Sequence, residues 1–394
     1  MPSAPALTVT PIESSAGFGA FLDGVDINNL SEHEFKELER ALYTHKLLVI
    51  RGQPNLDPKK QFELVQRFDP TAKPVHGHGS ASQVAQKASE QKNKRNLVGA
   101  NPGVPAEPMV RMIGRATLPV GYHGATEEIT LTSGTHKGFH KEPLSDEEID
   151  SGLSRFHRWH IDAALYKVHP PKVTALWAHK LPTGPPITVQ WDVSSPSPQS
   201  MTAQPGLTAF LDSSAMYASL SDEDKAWVDH SEVEYAPSPY LWIQDSKATD
   251  DGFGLVSEGR ETPLEELPPV DESAIKRYKM IWPNPLTGAP SLQVHSIVAR
   301  RLFLRRSPTE DFQVIDDVAE VRDMLYKLQK PFLRPENILV TPQGEGDLCL
   351  WHNRSLRHTA IEYPQHTYGD RIMHQVHVAG SDDPGNPVML EQAA

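Results

Sequence analysis

The chain has 394 residues, of which 38% are apolar and 23% charged, with a formal net charge of -13. Such a composition suits a folded protein with a sizeable core, and so acidic a balance argues against nucleic acid, which demands a basic face. One cysteine, Cys349, excludes an intrachain disulfide and fits a reducing interior, while the lack of a leader pattern or of a run of about 18 apolar residues points to the cytoplasm without a membrane anchor.

Residues 7–12 alternate as a short strand, and 17–27 read as a second strand with a Gly-rich approach. Residues 31–45 predict a helix: Ser31 and Glu34 form a capping box, and Phe35, Leu38 and Leu42 fall at helical spacing. The run LLVIR at 47–51 is a buried strand. Asp57 and Pro58 then open a second helix as cap and first-turn residue. Residues 70–108 are polar, without sustained period, and read as a surface excursion or a lid. Strands resume at 109–114 and 127–132, followed by an acidic run at 146–150 that reads as a solvated helix face.

Residues 156–166, FHRWHIDAALY, place His160 and Asp162 one residue apart. In a strand alternate side chains share a face, so an imidazole and a carboxylate would enter one cavity together. Two His and one carboxylate on one face of an octahedron are the ligand set of non-haem Fe(II) oxygenases. Beyond this stretch, 173–180 is a strand, 184–186 a Gly-Pro turn and 188–191 a strand, with 194–205 as a Ser/Pro/Gln linker. A long insertion follows, with a Ser221-capped helix and an amphipathic helix over 314–328 whose Val318, Val321, Leu325 and Leu328 face inward. Its Arg300, Arg301, Arg305 and Arg306 read as a solvated cluster paired with acids. Residues 348–351 are a buried strand, 353–355 a turn, and His358 starts the return strand that the third ligand requires. His352 competes with it, but lies at the strand end and is expected to hold loop backbone.

Taken together, residues 7–380 resemble the taurine dioxygenase family of Fe(II)/2-oxoglutarate enzymes, and within it the fungal xanthine hydroxylase branch. The resemblance rests on the His160-x-Asp162 pair, on His358 in an NR-x-x-x-H context, on Arg371 in an R-I-M-H run, and on Thr188 in a strand after a Gly turn. It implies a mainly β fold with flanking helices: a double-stranded β-helix, or jelly roll, with a large insertion. The whole of 1–394 would be one catalytic domain, its core at about 7–70, 109–191 and 345–380 and its insertion at about 205–340. It also implies Fe(II) held by His160, Asp162 and His358, 2-oxoglutarate as cosubstrate held by Arg371 and Thr188, and O2 as oxidant. Arg371 suits the distal carboxylate because a guanidinium fork meets a carboxylate in two parallel hydrogen bonds.

The partner implied is a small molecule hydroxylated at an unactivated or heteroaromatic C–H, and homo-oligomerisation stays open. Arg111, Gln375 and His377 are the candidate substrate residues; Gln375 and His377 share the phase of Arg371 along a regular strand. Thr132, Met109 and Arg111 stand where the xanthine hydroxylases carry a Lys and paired Gln, which leaves the heterocycle undetermined. Two other readings stay open: the same machinery acting on an amino acid or secondary metabolite, or a metal-binding jelly roll without catalysis.

Overall fold

Three apolar runs, Leu47–Ile50, Leu348–His352 and Val173–Lys180, lie side by side in the middle of a nine-stranded sheet in the computed structural model, which describes residues 7–76, 101–163, 165–256 and 261–391. The sheet runs Thr8–Pro11, Ala20–Asp23, Leu47–Ile50, Leu348–His352, Val173–Lys180, Arg371–Val376, Glu107–Leu118, Gly103–Val104, with Ile129–Thr132 also paired to Glu107–Leu118. Its central strands read as unbroken apolar runs because both faces are covered. Leu48, Leu350 and Ala175 are register partners on one face and pack against the helices Glu32–His45 and Pro58–Arg67. Val49, Cys349 and Leu176 turn to the other face and pack against Phe210, Leu339 and Leu356 of a smaller sheet.

That smaller sheet consists of Ile338–Val340, Thr208–Asp212 and Leu356–Ala360. Its middle and edge strands lie in register Phe210 to His358, so the His358 strand is fixed by a stretch far earlier in the chain. Residues 208–212 and 338–340 thus pair with the site although they fall inside the stretch read as insertion. Further out, Arg277–Lys279, Glu232–Tyr235, Ala299–Leu304 and Gln313–Ile315 form a sheet of their own. Arg300 and Arg301 pair with Glu234 and Arg306 with Glu223, as the reading of that cluster anticipates, whereas Arg305 donates to the His230 and Pro308 carbonyls instead.

Both early helices follow their caps. The Ser31–Glu34 capping box is formed, and the Asp57 side chain accepts from the Lys59 amide ahead of Leu64 and Val65. Elsewhere the structure corrects the sequence reading. The amphipathic helix is Val318–Gln329 and not 314–328, because the Asp317 side chain caps it while Gln313–Ile315 joins a sheet. The stretch 194–205 is no linker: Gln199–Ala203 forms a hairpin with Ile187–Trp191, with Met201 opposite Val189. The His160 segment is extended but not a regular strand, being held by isolated bridges at Phe156, His160 and Tyr166. The expected lid lies largely outside the described residues; of its end, Gly103–Val104 pairs with Glu107–Leu118. Among the described residues no helix is long and apolar enough to cross a membrane.

One close approach ties the sheet to the site. Gly114 has φ +146, and a Cβ there would overlap the carbonyl oxygen of Arg371 on the neighbouring strand. Replacing Gly114→Ala should therefore cost about 2 kcal/mol or more and shift Arg371, read as a lowered urea midpoint. An unchanged midpoint would mean that the two strands have slack at this point.

Candidate active site

His160 and His358 face each other across an isolated antiparallel bridge: the His160 amide donates to the His358 carbonyl at 3.0 Å, and the reverse bond is 2.9 Å. Their rings lie 4.2 Å apart between centroids. Asp162 is set by Asn353 in the turn before the His358 strand. Asn353 Oδ1 accepts from the Asp162 amide at 2.8 Å, and its Nδ2 donates to the Asp162 carbonyl at 2.9 Å. Arg354 pins the same turn to the Pro170 carbonyl and to Asp382. Thus the NR-x-x-x-H run works as a unit, its Asn and Arg placing the two halves of the site.

One donor atom from each of His160, Asp162 and His358 lies within 4.8 Å of the others. Nε2 of His160 is 4.0 Å from Asp162 Oδ1, and Nε2 of His358 is 3.6 Å from Oδ2. The His160 Nδ1 lies 2.8 Å from the Arg158 carbonyl, which can only accept, so the proton sits on Nδ1 and the Nε2 lone pair faces Asp162. Burial, reinforced by His358 and Arg158, holds the pKa of His160 well below its ordinary value and keeps the ring neutral. Asp162 is 1% exposed and accepts from Thr174 Oγ1 at 2.8 Å. No lysine or arginine among the described residues is in ion-pair reach of it. His377 also brings Nε2 to within 3.8 Å of Oδ1, but the group whose donor atoms converge is His160, Asp162 and His358, and a buried carboxylate without a lysine or arginine partner beside two such imidazoles is a donor set that fits a divalent metal.

His352 has no share in that set. It is buried, its Nδ1 bonds to Ser355 Oγ at 2.7 Å and its ring packs edge-on to Tyr43, so it holds the loop through a side chain and not through the backbone as expected.

The three groups open into a cavity of about 380 Å³. Arg371 lines it, donates from Nε to the Gly206 carbonyl at 2.6 Å, and has no carboxylate partner among the described residues. Burial brings its pKa down to about 10, so it stays charged at neutral pH. Arg115, its register partner, also lines the cavity but is neutralised by Glu362.

Thr188 is not there. It lies in the Ile187–Trp191 strand, in the side-chain phase opposite to the buried Ile187 and Val189, and it does not line the cavity. The cavity instead takes Thr208, two residues after Gly206 and in register with Ala360 of the His358 strand. The chain offers two turns of Gly followed by a Thr, and the hairpin 187–203 separates them.

Of the other candidates, Gln375 lines the cavity, with Nε2 3.4 Å and 3.5 Å from the Asp162 oxygens. His377 is fully buried and does not line the cavity; its Nε2 is 3.8 Å from Asp162 Oδ1 and its ring centroid 4.2 Å from that of His76. Arg111 pairs in register with Gln375 but falls outside the cavity lining. Sequence reasoning missed Arg158, which lines the cavity two residues before His160; its even offset from both His160 and Asp162 was the available signal.

The chain matches the model of the taurine catabolism dioxygenase TauD, TfdA family over residues 8–104 and 114–377. It is 41% identical over 362 residues to the alpha-ketoglutarate-dependent xanthine dioxygenase of Emericella nidulans, across 91% of this chain and 92% of that one. To the alpha-ketoglutarate-dependent xanthine dioxygenase of Neurospora crassa it is 39% identical over 386 residues, across 96% and 88%. A solved structure of AAD-2 in complex with Mn(II) and N-oxalylglycine has a TM-score of 0.55 at 16% identity, covering 96% of this chain and 100% of that one, which is a likeness of fold alone.

The carboxylate that pairs with Arg115 of the cavity wall also carries a titration. Burial alone would raise the Glu362 carboxyl, but the hydrogen bond from His136 and the charge of Arg115 outweigh it and hold the pKa at about 2, against an ordinary 4.5. A depressed folded-state pKa adds stability above the ordinary value and loses it as pH falls through the folded one. The stability advantage of wild type over Glu362→Gln in urea unfolding should thus be full at neutral pH and shrink from about pH 4.5 towards 2. A constant advantage across that window would contradict the pairing.

Proposed function

Because the chain belongs to the taurine catabolism dioxygenase TauD, TfdA family, we propose that its cavity is the active site of an alpha-ketoglutarate-dependent dioxygenase in which His160, Asp162 and His358 hold Fe(II). The observation that carries the assignment is the buried Asp162 carboxylate with the Nε2 atoms of both histidines turned to it at 4.0 Å and 3.6 Å. We read the nine-stranded sheet and the small sheet facing it as the two halves of a jelly roll, and the whole chain as one catalytic domain.

Iron(II) bound at these residues supplies dioxygen activation coupled to conversion of 2-oxoglutarate to succinate and CO2, and through it oxidation of an unactivated C–H. The protein's share is placement and exclusion of water. Arg371 fixes the distal carboxylate of the cosubstrate with the guanidinium edge that its Gly206 contact leaves available, and Thr208 donates a further hydrogen bond. Thr174 donates to one oxygen of the Asp162 carboxylate and Gln375 approaches both, so the two side chains would hold the carboxylate in place for a metal bound there. The buried Nδ1 contact of His160 keeps its ring in one tautomer through turnover.

For the primary substrate, identity of 41% and 39% to proteins named xanthine dioxygenases supports hydroxylation of a small heteroaromatic molecule. The cavity volume of about 380 Å³ accommodates such a ring beside the cosubstrate. An amino-acid substrate is less well supported, since Arg111, the one arginine among the candidate substrate residues and the natural partner for its carboxylate, falls outside the lining.

Succinate release measured against 2-oxoglutarate concentration tests the assignment. Losing the Arg371 pair should cost on the order of 2 to 4 kcal/mol, so Arg371→Ala should raise the half-saturating concentration by about 30- to 1000-fold. Thr208→Val should raise it by about tenfold, and Thr188→Val should leave it unchanged. A response to Thr188→Val with none to Thr208→Val would reverse the choice of threonine, and indifference to Arg371→Ala would remove the cosubstrate from this cavity.

A further inference from the structure

Among the described residues three guanidinium groups line the cavity, and their charges are not disposed of equally. Arg115 is paired with Glu362. Arg371 is taken by the cosubstrate in the proposed function, on which the role of the third group rests. That third group is Arg158. Its backbone amide donates to Thr359 Oγ1 and its carbonyl accepts from His160, but its guanidinium makes no hydrogen bond or ion pair among the described residues. Of the carboxylates around it only Asp162 acts on it appreciably, from beyond ion-pair distance. The guanidinium is held by two aromatic rings, Phe139 at 5.3 Å and Tyr240 at 5.4 Å from the ring centroids, and Tyr240 is itself anchored to the Ala163 carbonyl at 3.0 Å. Both rings line the cavity too.

An arginine held by packing and cation–π contacts, with its hydrogen-bonding edge free in a cavity, is organised for a ligand rather than for the fold. Charge balance says which ligand. A divalent metal against Asp162 and a dianionic cosubstrate against Arg371 cancel, and Arg115 with Glu362 cancel, which leaves the Arg158 cation facing the remaining space. We propose that Arg158 is the specificity-determining residue for the primary substrate. Its fork grips two adjacent acceptor atoms at the edge of a planar, negatively charged ring, either an ionised heterocyclic imide or a ring carboxylate. The Phe139 and Tyr240 rings bracket the guanidinium and favour a flat ligand lying against them.

The test is calorimetric binding to the metal-loaded, 2-oxoglutarate-bound protein without oxygen. Xanthine and orotate are the probes, with purine and uracil as partners lacking the imide edge and the carboxylate respectively. At least one of xanthine and orotate should bind wild type well above its partner, and its affinity should fall about 10- to 100-fold in Arg158→Gln and recover in part in Arg158→Lys. Which of the two responds tells imide from carboxylate. Arg158→Met, which removes an uncompensated cation, should melt no lower than wild type; a variant melting far below it would mark Arg158 as structural and overturn the assignment. Affinity indifferent to Arg158→Gln, or neither probe binding above its partner, overturns it equally. Wild type that fails to take up 2-oxoglutarate would overturn the assignment of the cavity itself, and is told apart because that step is measured first.

Discussion

A single buried negative charge organises this molecule. Asp162 lies between two sheets with 1% of its surface exposed and no lysine or arginine in ion-pair reach among the described residues, in a place where an uncompensated carboxylate is costly. Everything around it reduces that cost in part without cancelling it. Thr174 donates to one oxygen, Gln375 approaches both, Asn353 fixes the backbone on either side, and the two imidazoles present Nε2. The remaining deficit is what a divalent cation supplies, so the fold holds a site whose stability and function are linked through the same carboxylate.

The sheets explain how so polar a centre is kept in a folded chain. The nine-stranded sheet is packed on both faces, by helices on one and by the Phe210, Leu339 and Leu356 sheet on the other, and the cavity opens where that inner layer gives way to polar side chains. Arg371 and Arg115 face each other across one strand pair, and Gly114 lets the strands approach there. Placing two guanidinium groups in register is tolerable because Glu362 neutralises one of them. A third cation, Arg158, is kept apart by aromatic packing.

The parts legible in the sequence are those set by local rules. Capping chemistry placed the helices that start after Ser31 and Asp57, and apolar runs placed the three central strands. The one-residue spacing suggested His160 and Asp162, a return strand made His358 a candidate beside His352, and the family resemblance fixed the set, although the His160 segment is bridged rather than a regular strand. What failed depends on distant pairing. Nothing within 184–208 tells which Thr after a Gly lies beside the His358 strand; that comes from the register of Phe210 with His358. The hairpin 187–203 was read as strand and linker because its second strand, Gln199–Ala203, is polar at one end and buried only at Ala203. Arg158 passed unnoticed because an arginine beside a motif signals nothing until its partners, or their lack, can be counted.

Which histidine completes the site decides where the metal sits, and anaerobic titration of the iron-loaded protein with 2-oxoglutarate reads that out through the metal-to-ligand charge-transfer band. Wild type and His352→Ala should both develop the band, and His358→Ala should not. A band that survives in His358→Ala and disappears in His352→Ala would contradict the assignment of the metal to the Asp162 carboxylate and the ring 3.6 Å from it.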